Sequence, residues 1–404
     1  MSLIDTAREA VESIWNGQYV IRKHNQAKVL RAFQLARVGS HCFHDSTGYG
    51  YDDAGRDALE AVYAHAFGAE AALVRPQVVS GTHAITLALG LLLPGDEVIS
   101  LSGPPYDTLQ QVIGTAGTSK RSLLQRGIQY REIPLTSEGT LDLAAVRSAV
   151  TTKTRMVLLQ RSRGYSWRPS LEVAALEQAI NAVKSINSDC ICFVDNCYGE
   201  FVEHLEPTEV GADLMAGSLI KNPGGTLAIS GGYIVGRQAL IDEVAEGLTA
   251  PGIGARVGPM FGLSRSLLQG FFMAPHVVGE ALAGAVLAAQ VFSELGFRVS
   301  PLPESKRTDI IQAIEFGDRA TLLSFCAGVQ KASAVDAHYA PIPGVMPGYE
   351  DEVVMAGGTF IQGSSIELSA DAPMRTPYIG YLQGGFSREH VELVLEGILK
   401  DLPH

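Results

Sequence analysis

Cys190-Ile191-Cys192-Phe193-Val194-Asp195-Asn196 is the stretch on which the fold turns. Five apolar residues in succession end on a carboxylate. A strand with one wet face alternates apolar and polar residues, so an unbroken run means that both faces are covered. Sheets covered on both faces are parallel and flanked by helices. Working outward, strand-like runs recur at Arg155–Leu159, Gln129–Ile133, Glu97–Leu101 and Ala71–Val74, and then at Leu214–Leu219 and Gly232–Val235. Helical patterns at 83–93, 142–150 and 171–186 separate them. The rhythm is βαβ, and the class is α/β with a mainly parallel sheet.

The flanks complete the organisation. Residues 4–38 read as a helix, with Leu30, Phe33, Leu35 and Ala36 spaced for one apolar face. Polar, glycine-rich sequence follows from Gly39 to Arg56. A second glycine-rich connection at Thr249–Gly258 leads into a long helix at 267–295. Residues 296–404 mix strand-like pieces at 321–325 and 359–368 with a last helix at 388–402, a smaller lobe of α+β type. The expected division is an N-terminal helical segment at 1–45, a large domain at 46–290 and a small C-terminal domain at 291–404.

Composition narrows the function. The 404 residues carry a net charge of −12 and no basic run, which argues against nucleic acid as a partner. With 46% hydrophobic and 18% charged residues, the chain can bury a large core. Cys42, Cys190, Cys192, Cys197 and Cys326 are odd in number and show no CxxC pairing, as reduced core thiols do. The opening MSLIDTAREAVESIW has acidic residues and lacks the apolar segment of a secretion signal. The apolar stretch Ala84–Leu93 is too short to cross a bilayer. A cytoplasmic enzyme with no membrane partner is expected.

Three features fall at the C-terminal edges of the proposed strands, where open α/β sheets hold their ligands. Ser80-Gly81-Thr82 starts a helix, where free N–H groups and the dipole favour an anion; Ser-Gly-Thr there can equally be a plain N-cap. Asp195 leaves a buried strand and must be paired, either in a local turn or with a buried cation. Lys221 lies 26 residues after Asp195 and, alone of nine lysines, follows an apolar run and precedes a Gly-rich turn. Burial lowers a lysine's pKa and favours the neutral, nucleophilic amine; the bland alternative is a strand-end lysine reaching solvent. An anion trap, a carboxylate for a pyridinium nitrogen and a nucleophilic lysine are together what a pyridoxal-phosphate site requires.

The chain resembles the fold-type-I pyridoxal-phosphate enzymes of cysteine and methionine metabolism. More closely, it resembles the cystathionine β-lyase/methionine γ-lyase-like proteins known by the name "aluminium resistance". The resemblance rests on STGYGYDDAGRDALE (46–60), VVSGTHAI (78–85), GPPYDTL (103–109), FVDNCYGEF (193–201), SLIKNPGGTLAISGGYIVG (218–236), APGIGARVG (250–258) and SADAPMRTPYIGYLQGG (369–385). It implies a pyridoxal-phosphate transferase fold and pyridoxal 5'-phosphate as cofactor, bound covalently through Lys221. Asp195 would pair with the ring nitrogen, while Ser80, Gly81, Thr82 and Ser218 would hold the phosphate. Tyr106 would stack on the ring and donate a proton to the leaving sulfur. Tyr49 and Tyr51 match a segment that crosses to the neighbouring subunit in related lyases, so a homodimer or homotetramer with shared sites is implied. The lyases' arginine after that tyrosine is absent here, and Arg56 is a possible substitute. Arg375 is the choice for the substrate carboxylate, with Arg163 and Arg256 as rivals.

The implied activity is carbon–sulfur bond cleavage in cystathionine, cysteine or methionine. It would proceed by Cα deprotonation and β- or γ-elimination of a thiol, giving a keto acid and ammonia. An aminotransferase on the same fold and a non-catalytic, cofactor-binding stress protein are the alternatives. His41-Cys42-x-His44 has metal-type residues without a second cluster, so no metal site is expected.

Overall fold

The computed structural model describes residues 2–346 and 349–402. It opens with α1 (Leu3–Leu35), started by a capping box in which the Ser2 hydroxyl and the Asp5 carboxylate satisfy each other's backbone N–H. The buried face of α1 carries Ile4, Ala7, Val11, Val29 and Ala32. Phe33 and Ala36 pack against the core as expected, whereas Leu30 and Leu35 are exposed and Val29 and Ala32 complete the buried face.

Helix α2 (Ala54–Ala66) precedes the large sheet, whose strands are β1 (Ala71–Arg75), β2 (Glu97–Ser100), β3 (Gln129–Glu132), β4 (Thr154–Gln160), β5 (Ile191–Asp195), β6 (Leu214–Ser218) and β7 (Gly232–Gly236). Their order is β1-β7-β6-β5-β4-β2-β3. Strands β2 to β6 pair in parallel, and β7 runs antiparallel between β6 and β1. Every residue of β5, β6 and β7 is buried, which is why those strands read as continuous apolar runs. Helices α3 (Gly81–Leu89), α4 (Asp107–Ile113), α5 (Leu143–Ala149), α6 (Val173–Ile186) and α7 (Gln238–Leu248) connect and cover them. Two apolar layers result. One joins Leu73, Ile85 and Phe193; the other joins Ile99, Val157 and Val194.

Helix α8 (Ser264–Glu294) runs beside α1 and leads into the small lobe. Among the described helices it is the one long and apolar enough to cross a membrane, and 78% of its most apolar window is buried within the fold. The small lobe is an antiparallel sheet ordered β10-β11-β12-β9-β8. Its strands are β8 (Arg298–Ser300), β9 (Ile311–Glu315), β10 (Val353–Ala356), β11 (Ser369–Pro373) and β12 (Ile379–Gln383), packed against α9 (Arg319–Lys331) and α10 (Arg388–Asp401).

Both strand readings in this lobe are corrected. Residues 321–325 lie inside α9. Asp318 caps its start by accepting from the N–H groups of Ala320 and Thr321, and Leu322, Phe325, Cys326 and Val329 form its buried stripe. Residues 359–368 are irregular chain folded around Glu367, whose carboxylate accepts from the N–H groups of Phe360 and Ile361. All five cysteines are free and buried.

Candidate active site

The exits of β2, β4, β5 and β6 and the start of α3 converge on a cavity of about 430 Å³. Each contributing segment is an apolar strand that stops at a polar residue, so the strand's burial delivers a functional group at its end. Strand β5 supplies Asp195. Strand β6 supplies Ser218 and, just beyond it, Lys221. Tyr106 stands in the segment after β2, and Gln160 ends β4.

Asp195 is 3% exposed, and its Oδ1 accepts from the Cys197 N–H at 3.1 Å. Burial raises its pKa, and Lys221 and Cys197 pull it back only in part. Such a carboxylate gains from a cation placed against it. Lys221 Nζ lies over the Tyr198 ring, 4.0 Å from its centre. Burial drives the Lys221 amine down, as its sequence context implies, but Cys197, Tyr198, Asp195 and Tyr106 outweigh it and leave it well above the ordinary lysine range. The expectation of a lysine made neutral by burial is therefore corrected for the protein alone. Of these groups the Asp195 carboxylate is the one that can carry charge while the Tyr106 phenol stays neutral, and it favours the charged form of the amine.

Ser80, Gly81, Thr82 and Ser218 meet at one end of the cavity. The Ser80 hydroxyl accepts from the His83 N–H at 3.1 Å, so its side chain is the N-cap of α3. A Cβ on Gly81 would stand 3.2 Å from Cys197 Sγ and 3.3 Å from Ser218 Cβ, so the glycine lets the start of α3 close onto the end of β6. Thr82 Oγ1 and the Tyr106 hydroxyl are 3.0 Å apart. The Tyr106 backbone N–H donates to Gln160 Oε1 at 2.9 Å, which fixes the residue at the head of α4. Burial, followed by the charges of Asp195 and Cys197, pushes its phenol far above the ordinary tyrosine range, so it is a neutral O–H donor.

Arg375 reaches the cavity rim from the small lobe. It is half exposed and already shared between Asp351 Oδ2 at 3.1 Å and the Tyr165 carbonyl at 3.2 Å. Its rival Arg163 is 2% exposed in the cavity wall. Arg163 Nη1 donates to the carbonyl and hydroxyl of Ser300, while Nε has no hydrogen-bond partner. No carboxylate among the described residues lies within ion-pair distance of it. The other rival, Arg256, is not among the residues lining the cavity.

Tyr49 and Tyr51 are likewise not among the cavity residues. They are 73% and 63% exposed, with rings 5.6 Å apart. Their loop is anchored from beneath, because the Gly258 N–H donates to the Tyr49 carbonyl and Arg56 Nη1 donates to the Gly50 carbonyl. Arg56 is buried and committed to that anchoring, so it is not a free cation for a phosphate. Residues the sequence reading passed over also line the cavity: Gln160, Ser162, Tyr165, Cys197, Tyr198 and Tyr349. The polar run Gln160-Arg161-Ser162-Arg163 directly after an apolar strand carries the same signal as Asp195-Asn196 and could have found the first two.

A family model described as methionine gamma-lyase matches residues 1–403. The chain belongs to the methionine gamma-lyase family. It is 51% identical over 374 residues to the uncharacterised protein YnbB of Bacillus subtilis, covering 92% of this chain and 89% of that one. L-methionine gamma-lyase of Pseudomonas putida is 29% identical over 221 residues, covering 52% of this chain and 49% of the relative. Among solved structures, a carbon-sulfur lyase involved in aluminum resistance from Clostridium novyi is 46% identical with a TM-score of 0.94, covering 98% of this chain and 94% of that chain. The pyridoxal-5'-phosphate dependent protein YhfS of Escherichia coli, at 19% identity and a TM-score of 0.63, covers 94% of this chain and 96% of its own and shares the fold. The architecture is that of the fold-type-I enzymes.

Proposed function

We propose that this member of the methionine gamma-lyase family is a pyridoxal-phosphate-dependent carbon–sulfur lyase acting on a sulfur-containing amino acid. The observation that carries the reading is the convergence of Asp195, Lys221 and the Ser218/Thr82 anion end in one cavity. The residues fit the cofactor. Asp195 is a buried carboxylate in want of a cation, and Lys221 is a buried amine. At the start of α3 the helix N–H groups and the Thr82 and Ser218 hydroxyls offer donors to a phosphate. Pyridoxal phosphate, when bound, supplies the electron sink for the carbanion formed at Cα.

The chain's own residues then divide the work. Asp195 would hold the ring nitrogen of the bound cofactor in its protonated form. A cation held against Asp195 would also remove part of the pull that keeps Lys221 protonated, leaving burial to favour the neutral base. Lys221 Nζ takes the Cα proton, and the Tyr106 hydroxyl donates a proton to the departing sulfur, so that a thiol leaves with its proton. Hydrolysis releases a keto acid and ammonia. Arg163 in the wall and Arg375 at the rim are the cations for the substrate carboxylate, and the Arg163 guanidinium, with Nε unmet and no carboxylate paired to it among the described residues, is the stronger anchor. Two chains pair so that the exposed Tyr49 and Tyr51 of one reach the other's cavity.

The test is the visible spectrum of the purified protein beside Lys221→Ala, before and after borohydride, followed by keto-acid assays with cystathionine, cysteine and methionine. A yellow wild type whose band is lost on reduction, with mass fixed at Lys221 and keto acid released, is the expected result. A protein that gains no band with added pyridoxal phosphate would sink the reading, and accumulation of the pyridoxamine form would turn it into an aminotransferase.

A further inference from the structure

A second cavity, of about 380 Å³, lies away from the catalytic one, between α1, α6, α8 and the segment before β9. Its walls are largely apolar, with Ile14 and Ile21 from α1, Val202 and Val210 from the chain after β5, and Leu282 from α8. One residue in the lining does not belong in such a wall. Arg307 is 6% exposed, and its Nη2 donates to the Ala285 carbonyl and Gln312 Oε1, yet Nε and Nη1 have no hydrogen-bond partner. No carboxylate among the described residues lies within ion-pair distance of it. Burial, helped by the charge of Arg163 and opposed by that of Asp309, weakens its hold on its proton, to a pKa of about 9. A buried guanidinium with unmet donors is costly unless an anion meets it. Of the carboxylates in the lining, Glu203 is already taken by Arg161, Lys306 and the Val173 N–H, and neither Glu177 nor Glu304 lies within ion-pair distance of Arg307.

We propose that this cavity is a ligand site, separate from the catalytic one, for a small monocarboxylate with a branched apolar body, its carboxylate on Arg307 and its body among Ile14, Ile21 and Leu282. The volume falls within the range of small-molecule sites; Arg22 and Lys306 also line the cavity but are paired with Glu280 and with Glu172 and Glu203, which leaves Arg307 as the arginine or lysine of the lining with no carboxylate partner among the described residues. The site stands next to the wall of the catalytic cavity. Two residues on from Arg307, Asp309 accepts from the Ser162 hydroxyl and the Arg163 N–H.

Isothermal titration of the holoenzyme with 4-methylpentanoate, and with its neutral amide, tests the assignment. Gly17 on α1 lines the cavity, and a Cβ added there meets nothing within 4 Å, so Gly17→Leu fills the space without disturbing the fold. Saturable binding of the acid is expected, about tenfold or more weaker for the amide, and lost in both Gly17→Leu and Arg307→Met. Binding of acid and amide alike would overturn the role of Arg307. Undiminished binding to a folded Gly17→Leu protein would place the ligand elsewhere, and the absence of any saturable heat with wild type would refute the site.

Discussion

Lys221 is held by a contact between two backbones, and one methyl group suffices to test it. The turn after Lys221, residues 222–225, presses against the first third of α8. A Cβ on Gly270 would stand 2.2 Å from the Gly224 carbonyl oxygen and 3.3 Å from Leu227 Cβ, while a Cβ on Gly225 would stand 2.1 Å from the Gly270 carbonyl oxygen. Carbon and oxygen rest at about 3.3 Å or more, so Gly270→Ala must drive the turn back by about 1 Å. Two effects compete. Alanine in a helix interior favours folding by about 1 kcal/mol over glycine. Overpacking costs about 1–3 kcal/mol, and here the obstruction is backbone that cannot rotate away, which puts the cost at the upper end. A net destabilisation of about 1–2 kcal/mol follows. The functional loss is larger, because a displacement of about 1 Å at a reacting group can cost about 100-fold in rate. Urea unfolding gives the first quantity, and turnover with the borohydride-sensitive absorbance gives the second. The matched control is Gly247→Ala in α7, where the new methyl meets nothing within 4 Å and the same exchange should stabilise by up to about 1 kcal/mol. If Gly270→Ala were as stable and as active as Gly247→Ala, the reasoning would be refuted.

Other substitutions separate the roles assigned to individual groups. Arg163→Lys, which loses the planar fork at a buried position, should raise KM about tenfold or more with a smaller change in kcat. Arg375→Lys, at a half-exposed rim position, should change KM by no more than about threefold, and steady-state kinetics with either ranking reversed would return the carboxylate to Arg375. Tyr106→Phe keeps the ring and removes the donor, so kcat should fall about 100-fold while the absorbance of bound pyridoxal phosphate stays; an unchanged kcat would remove Tyr106 from proton transfer. Burial pushes the Glu200 carboxyl up to about 8, beside the Tyr233 hydroxyl that donates to it at 2.7 Å. Its folded pKa thus exceeds the unfolded value of 4.5, so its contribution to stability is complete below pH 4.5 and is lost as pH rises through about 8. Against Glu200→Gln, wild type should lose on the order of 4 kcal/mol across that window, and parallel stability curves for the two proteins would contradict the assignment.

What the sequence disclosed was whatever a single strand decides by itself. Asp195 and Lys221 were legible because each follows an unbroken apolar run, and such a run has one outcome: a buried strand whose next polar residue emerges at a sheet edge. Ser80 was legible as a helix start: its hydroxyl caps α3, and the residue also lines the cavity. The electrostatics were less accessible. Burial of Lys221 could be inferred from its neighbours in sequence, but not the company that opposes its effect, because Asp195 and Cys197 at the exit of β5 and Tyr106 after β2 reach it from two other segments.

The small lobe shows the same limit from the other side. Thr321-Leu322-Leu323-Ser324-Phe325 has the composition of a strand, and only a longer window reveals the helical stripe through Cys326 and Val329 behind the Asp318 cap. The strands that do exist there are short and antiparallel, and β11 even ends in a proline at Pro373. Such strands are specified by their partners, each needing its neighbour's hydrogen bonds before its own pattern has meaning. The choice between Arg163 and Arg375 belongs with them. Both are arginines beside turn-forming residues, and what separates them is that Asp351 came within 3.1 Å of one, while the chain around Ser300 buried the other. The catalytic scaffold is therefore written locally, in strand ends and glycines. On the proposed function, Arg163 and Arg375 would select the substrate through its carboxylate, and substitutions there should alter specificity without altering the fold.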